Sequence, residues 1–266
     1  MAISRGNFST INVTANVTLD SFPHRVSSTS DYLNLRVTWE NNAAAPQEVS
    51  AIYWKPTGQA QQTLTRAAFV TTVDDGRSEI WYLVTPVAVT GSVDIAWGTV
   101  GAGGGMWKMA AVEDLAGVAT LTPHRATTSR GIANGAADPS LTVTAAASDL
   151  ILGVCGTEDG AFAGTGVIGV DHTAEAMFNT NSTPPYHGVF SRSTGASPSQ
   201  TLQYDTSTTS HQALMVVAII ATVAGSAPDA ETVTGIYTMM TMGMGLGLGM
   251  GMVPHFIGPL GKKEAA

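Results

Sequence analysis

The chain has 266 residues, enough for one large β domain or two small ones with a sizeable core. Only 12% of these are charged, against roughly 25% in ordinary globular proteins, so the expected surface is neutral and rich in hydroxyl groups. A net charge of −8, with 12 scattered Lys and Arg, excludes the basic face that phosphate neutralisation needs, and nucleic acid is not an expected partner.

A single cysteine, Cys155, rules out an intrachain disulfide, and its place in the apolar run DLILGVC predicts a buried, inert thiol. The opening MAISRGNFSTINV lacks the continuous apolar core of a signal peptide, so the expectation is folding in the cytoplasm without Sec export. The sequons at Asn7, Asn12, Asn16 and Asn181 then read as chance in a Ser/Thr-rich chain.

Residues 1–10 are set apart as an N-terminal arm. In chain order, INVTANVTL (11–19) alternates apolar with Asn and Thr, as a half-buried strand does. YLNLRVTW (32–39) puts Leu33, Leu35, Val37 and Trp39 on one face and Asn34, Arg36 and Thr38 on the other. VSAIYW (49–54), a turn at Lys55–Gly58 and a strand over 63–72 follow, and then the Asp74-Asp75-Gly76 turn. Ser78 to Gly98 is the stretch around which the chain is organised. Ile80, Tyr82 and Val84 oppose Trp81 and Leu83, and Val93, Ile95 and Trp97 oppose Ser92, Asp94 and Ala96. Pro86 and Gly91 punctuate the link between these two strands.

A Gly-rich link (98–105) leads to a strand over 106–112. Thr120 to Ser140 is polar, lacks periodicity and reads as a long loop, a feature that is often functional beyond about fifteen residues. LTVTA (141–145) and DLILGVC (149–155) predict a hairpin, and 165–171, 186–192 and 200–205 predict further strands. ALMVVAIIATV (213–223) falls short of the roughly 20 apolar residues of a membrane span and predicts a central strand buried on both faces. No internal repeat is visible. Many strands between Gly, Pro, Ser, Thr and Asn turns, without an amphipathic helix, predict an all-β, two-sheet antiparallel jelly-roll sandwich over 11–225.

Composition breaks at Gly225-Ser-Ala-Pro228, and 226–266 are expected to form a linker and an extended apolar Gly/Met-rich arm. No charged side chain lies between Glu231 and Lys262, and GMGLGLGMGM (243–252) alternates glycine with Met or Leu. Met242, Met244, Leu246, Leu248, Met250, Met252 and Phe256 are the candidate assembly residues. As a strand they would lie flat on a protein surface. As a helix, Gly243, Gly247 and Gly251 would form the close-approach ridge of membrane helices, and residues 232–261 are the candidate membrane segment. The glycine load costs a helix in water about 1 kcal/mol per residue. Protein docking, membrane insertion and a free appendage stay open, with a second copy the simplest partner for so long an apolar segment.

The six histidines (24, 124, 172, 187, 211, 255) show no metal-ligand spacing. Asp171-His172 with Glu175, and Glu158-Asp159-Gly160, read as solvated loop charges rather than a calcium site. Nothing in the sequence calls for a cofactor. Among the tryptophans, Trp39 and Trp97 are expected in the core. Trp54 and Trp107, beside Lys55 and Lys108, are the candidates for an exposed sugar-stacking surface.

The succession VSAIYW, TLTRAAFVTT, EIWYLVTP and GSVDIAWG resembles a family of jelly-roll domains found in phage virion proteins and bacterial surface proteins. WKMAAVEDLAGV, the LTVTA and SDLILGVC pair and HQALMVVAIIATV are similar to its second half, so the resemblance spans roughly residues 10–224. It carries no catalytic set to transfer. It implies a non-enzymatic structural or surface-recognition domain: a capsid- or tail-associated virion protein that oligomerises with itself and other virion proteins. The alternatives are a module for a host-surface glycan or receptor, and a membrane-interacting protein.

Overall fold

The computed structural model describes residues 2–221, apart from 14–16, 42–47, 72–75, 99–105, 137, 159–160, 170, 180–185, 195–198 and 207–209. The chain divides after Ala224, and the second unit, Gly225–Ala266, lies outside the described residues. Every candidate arm residue from Met242 to Phe256 lies there.

All regular elements among the described residues are strands: β1 (Ser4–Val13), β2 (Leu19–Arg25), β3 (Tyr32–Asn41), β4 (Val49–Pro56), β5 (Gln62–Thr63), β6 (Thr65–Thr71), β7 (Gly76–Val84) and β8 (Thr90–Trp97). There follow β9 (Met106–Ala116), β10 (His124–Ala136), β11 (Ser140–Val143), β12 (Leu150–Glu158), β13 (His172–Asn179), β14 (Tyr186–Thr194), β15 (Gln200–Gln203) and β16 (Ser210–Ile220). The expected N-terminal arm thus largely falls in β1, which pairs along β9.

Four antiparallel sheets form where the sequence predicts two. They are β2-β8-β4-β5, β1-β9-β3-β7-β6, β10-β16-β12-β14-β13 and the ribbon β11-β15. They stack as layers with three cores between them. Phe22, Trp39, Trp54, Trp81, Ile95 and Val112 fill the first. Ile80, Met109, Leu152, Phe190 and Val216 fill the second, and Ile151, Val189, Leu202, Tyr204 and Val217 the third. Strand alternation explains how one strand serves two cores. On β7, Trp81 and Leu83 enter the first while Ile80, Tyr82 and Val84 enter the second. The organising stretch therefore crosses layers, with β7 in the second sheet and β8 in the first.

The pairing is a folded-back ribbon: β1 with β9, β2 with β8, β3 with β7, β4 with β5. The scheme then recurs as β10 with β16, β11 with β15, β12 with β14. The order β1-β9-β3-β7-β6 thus reappears as β10-β16-β12-β14-β13. Register agrees in detail. Tyr32 pairs with Leu115 as Leu150 does with Ile220, and the edge strands β6 and β13 each shift register one residue past an equivalent threonine-led pair, at Arg66/Ala68 and Ala174/Ala176. The second half thus repeats the pairing order of the first, a recurrence that the sequence conceals. Its two large sheets face each other in reverse order, with β6 on β10, β7 on β16, β3 on β12 and β9 on β14, as a two-fold relation between the halves requires.

Three further expectations are corrected. The supposed loop 120–140 contains β10, a 13-residue edge strand of small and hydroxyl residues, held by backbone pairing to β16 and so lacking an apolar period. The supposed hairpin separates, since β11 pairs with β15 in one sheet and β12 with β14 and β16 in another. The predicted strand 165–171 is broken by Gly166 (φ 78°) and Gly169 (φ 116°), and the strand begins at His172 instead.

Candidate functional site

Trp54 is fully buried and Trp107 is 7% exposed, which overturns the expected sugar-stacking surface. Trp54 lies in the first core with its indole N–H donating to Val87 O (3.1 Å), and Trp107 lies in the second. Alternation on β4 and β9 turns both rings inward, and it is the neighbouring Lys55 that faces out. Cys155 is buried in the third core, as expected.

The polar face of β3 is buried as well. Asn34, Arg36, Thr38 and Glu40 point between the two large sheets. Arg36 is the centre of an ionic cluster there. Its Nη2 lies 2.6 Å from Glu113 on β9 and 2.7 Å from Glu175 on β13, and its Nη1 donates to Ser191 O (2.6 Å) and Gly153 O (3.3 Å). Arg5 on β1 reaches Glu175 at 2.8 Å and Glu113 at 3.4 Å, and Arg192 on β14 stands 3.5 Å from Glu175. Burial pushes the Glu113 carboxyl above its ordinary range against the pull of Arg36. Burial also works against the charge on Arg36, but the two carboxylates outweigh it and hold the guanidinium more firmly protonated. This cluster clamps strands from both halves.

Asp114 plays a similar part towards the first sheet. Burial would raise its carboxyl. The His24 ring 3.5 Å away, and hydrogen bonds from the Ser30 hydroxyl and the backbone N–H groups of Ser27 and Asn7, instead hold it well below the usual range. Lys108, over the Trp97 ring, bonds Asp20 at 3.0 Å. The Asp171, His172, Glu175 grouping is split by the pleat: Glu175 faces Arg36, while the His172 ring is edge-on to Tyr204, 5.2 Å away in the third core. Among the described residues no three His, Cys, Asp or Glu are placed to hold a metal ion. No helix among them is long and apolar enough to cross a membrane.

Beside the cluster, the paired ends of β13 and β14 form a half-open pocket of about 290 Å³ lined by Asp171, Thr173, Arg192, Ser193 and Thr194. None of these was singled out as a site residue from sequence, apart from Asp171 as a loop charge. The available signal was the adjacent pair Glu113-Asp114 on β9, since the pleat turns one carboxylate to each face and a buried one needs a cation such as Arg36. No known protein family matches the chain, and no curated protein matches it in sequence.

Proposed function

We propose that the protein is a non-enzymatic structural component of a phage particle, a jelly-roll body that assembles through its apolar C-terminal arm. The jelly-roll reading rests on the folded-back ribbon, in which β1 to β4 alternate between two facing sheets and β7 to β9 return beside β3, β2 and β1; β10 to β12 and β14 to β16 follow a similar course. The observation that carries the functional reading is how the body treats its own charges and edges. Its central ionic groups are spent on clamping layer to layer. All four edge strands of the two large sheets carry register shifts, a device that discourages edge-to-edge pairing. A rigid body with blunted edges suits an assembly whose contacts are delegated to a separate segment. Residues 226–266, with Met242, Met244, Leu246, Leu248, Met250, Met252 and Phe256, are that segment in this reading.

Light scattering on the full chain beside a version ending at Asp229 tests it. A discrete oligomer that becomes a monomer on truncation is the expected result. Two identical monomers overturn assembly through the arm, and flotation of the full chain alone with liposomes would put the membrane reading in its place.

A further inference from the structure

The recurrence gives each position of the interlayer space a counterpart at the opposite end. By register, Tyr32 corresponds to Leu150, Tyr82 to Arg192, Thr65 to Thr173, and His124 to Arg5. At one end the aromatic set closes the space. Tyr32 Oη is hydrogen-bonded to His124 Nε2 at 2.7 Å, and the Tyr82 ring stands edge-on to His124 with centroids 4.6 Å apart. At the other end that plug is replaced by Arg5, Arg192 and the bulge residue Glu175, and Arg192 also lines the pocket formed by β13 and β14.

We propose that this pocket binds an acidic sugar, a hydroxylated ring bearing one carboxylate. Three guanidinium groups (Arg5, Arg36, Arg192) face Glu113 and Glu175, and Asp171 on the pocket wall balances the third, so the group is neutral and Arg192 is the one cation among the lining residues. Arg192 is the group's outermost member, 42% exposed, with Nε 3.5 Å from Glu175. Its planar fork is suited to a carboxylate. Thr173 and Thr194 offer hydroxyls, and Asp171 offers an acceptor for ring hydroxyls while disfavouring a bare anion. A volume of about 290 Å³ sits at the lower end of small-molecule sites and limits the ligand to about one ring. This site does not depend on the assembly reading.

The test is ligand-observed NMR on the full chain with glucuronate, glucose and acetate as probes. Glucuronate is expected to bind, and glucose and acetate to bind more weakly. Arg192→Gln is expected to weaken glucuronate by about tenfold or more, the worth of a charged hydrogen bond. Thr173→Val should weaken it too, while Thr65→Val, at the equivalent place in the other half, should not. If Arg192→Gln fails to fold, the threonine pair decides. No glucuronate binding, acetate binding as well as glucuronate, or equal effects of the two threonine variants would each overturn the proposal.

Discussion

Arg36 and Glu113 lie 2.6 Å apart with no water-exposed surface on the guanidinium, one from β3 and one from β9, and both face a sheet built by the other half of the chain. Removing one partner of such a pair strands the other in a dry interior. Arg36→Met is therefore expected to destabilise the body by about 3–5 kcal/mol. The deficit should grow as pH rises above the ordinary carboxyl range, because Glu113 can shed its cost by protonating only at low pH. The double variant Arg36→Met/Glu113→Gln should recover part of the loss. Urea unfolding of the three proteins at pH 5 and pH 8 measures both, and a deficit independent of pH would mean that lost packing, not the stranded carboxylate, dominates.

Gly156 on β12 has no room for a side chain. A Cβ there would overlap the Tyr186 hydroxyl and Thr38 Oγ1, which are hydrogen-bonded to each other at 2.6 Å across the two large sheets. Gly156→Ala should cost about 1–3 kcal/mol, the range for overpacking, as the halves are pushed apart. Removing the obstruction should restore tolerance: Gly156→Ala on a Tyr186→Phe background is expected to lose less than the sum of the two changes. Thermal melts of the single and double variants report this directly.

The strands of the first half were legible because their core faces alternate strictly, as in Leu33, Leu35, Val37 and Trp39. What the same strands hide is the fate of the opposite face. Asn34, Arg36 and Thr38 look like a solvent face, and only the pairing of two halves buries them. The recurrence was hidden for a related reason. Equivalent positions hold Tyr82 and Arg192, or His124 and Arg5, since the pleat fixes where a side chain points and the neighbours fix its chemistry. The pocket at Arg192 joins Asp171 and Thr173 to β14 residues almost twenty positions on, a contact created by pairing and invisible to local pattern. Trp54 misled because Lys55, next door on the strand, marks the opposite face, and Trp107 because both faces of β9 are covered there, Lys108 being itself buried against Asp20.

The two halves should unfold together, because the second core belongs to both. The chain supplies a probe for each. All five tryptophans lie at or before residue 107, and the lone Cys155 lies buried in the second half. Tryptophan fluorescence and Cys155 thiol reactivity are expected to give one urea midpoint. Two separated transitions would mean that the halves are stable apart and that their interface adds little.

Acid should loosen the body through two histidines that the fold keeps neutral. Burial lowers His124 to about 4, where it faces Tyr32 and Tyr82, and lowers His172 to about 4 beside Tyr204. In the unfolded chain an imidazole takes its proton near about 6.5. Between those values the unfolded chain binds protons that the native state refuses, so stability falls as pH drops from about 6.5 towards about 4, and these two groups contribute no slope above that window. The loss should be of the order of 1–3 kcal/mol per histidine. Asp114 adds its own loss only at lower pH, because its hydrogen bonds keep it ionised well below the ordinary carboxyl range. Glu79 and Glu113, raised by burial, work the other way, so urea midpoints at pH 7, 5.5 and 4.5 should decline by what the histidines contribute beyond them. His124→Phe, which keeps a ring between the tyrosines without a titrating group, should flatten that decline even if it lowers the midpoint at pH 7. A decline just as steep in His124→Phe would assign the acid response to other groups.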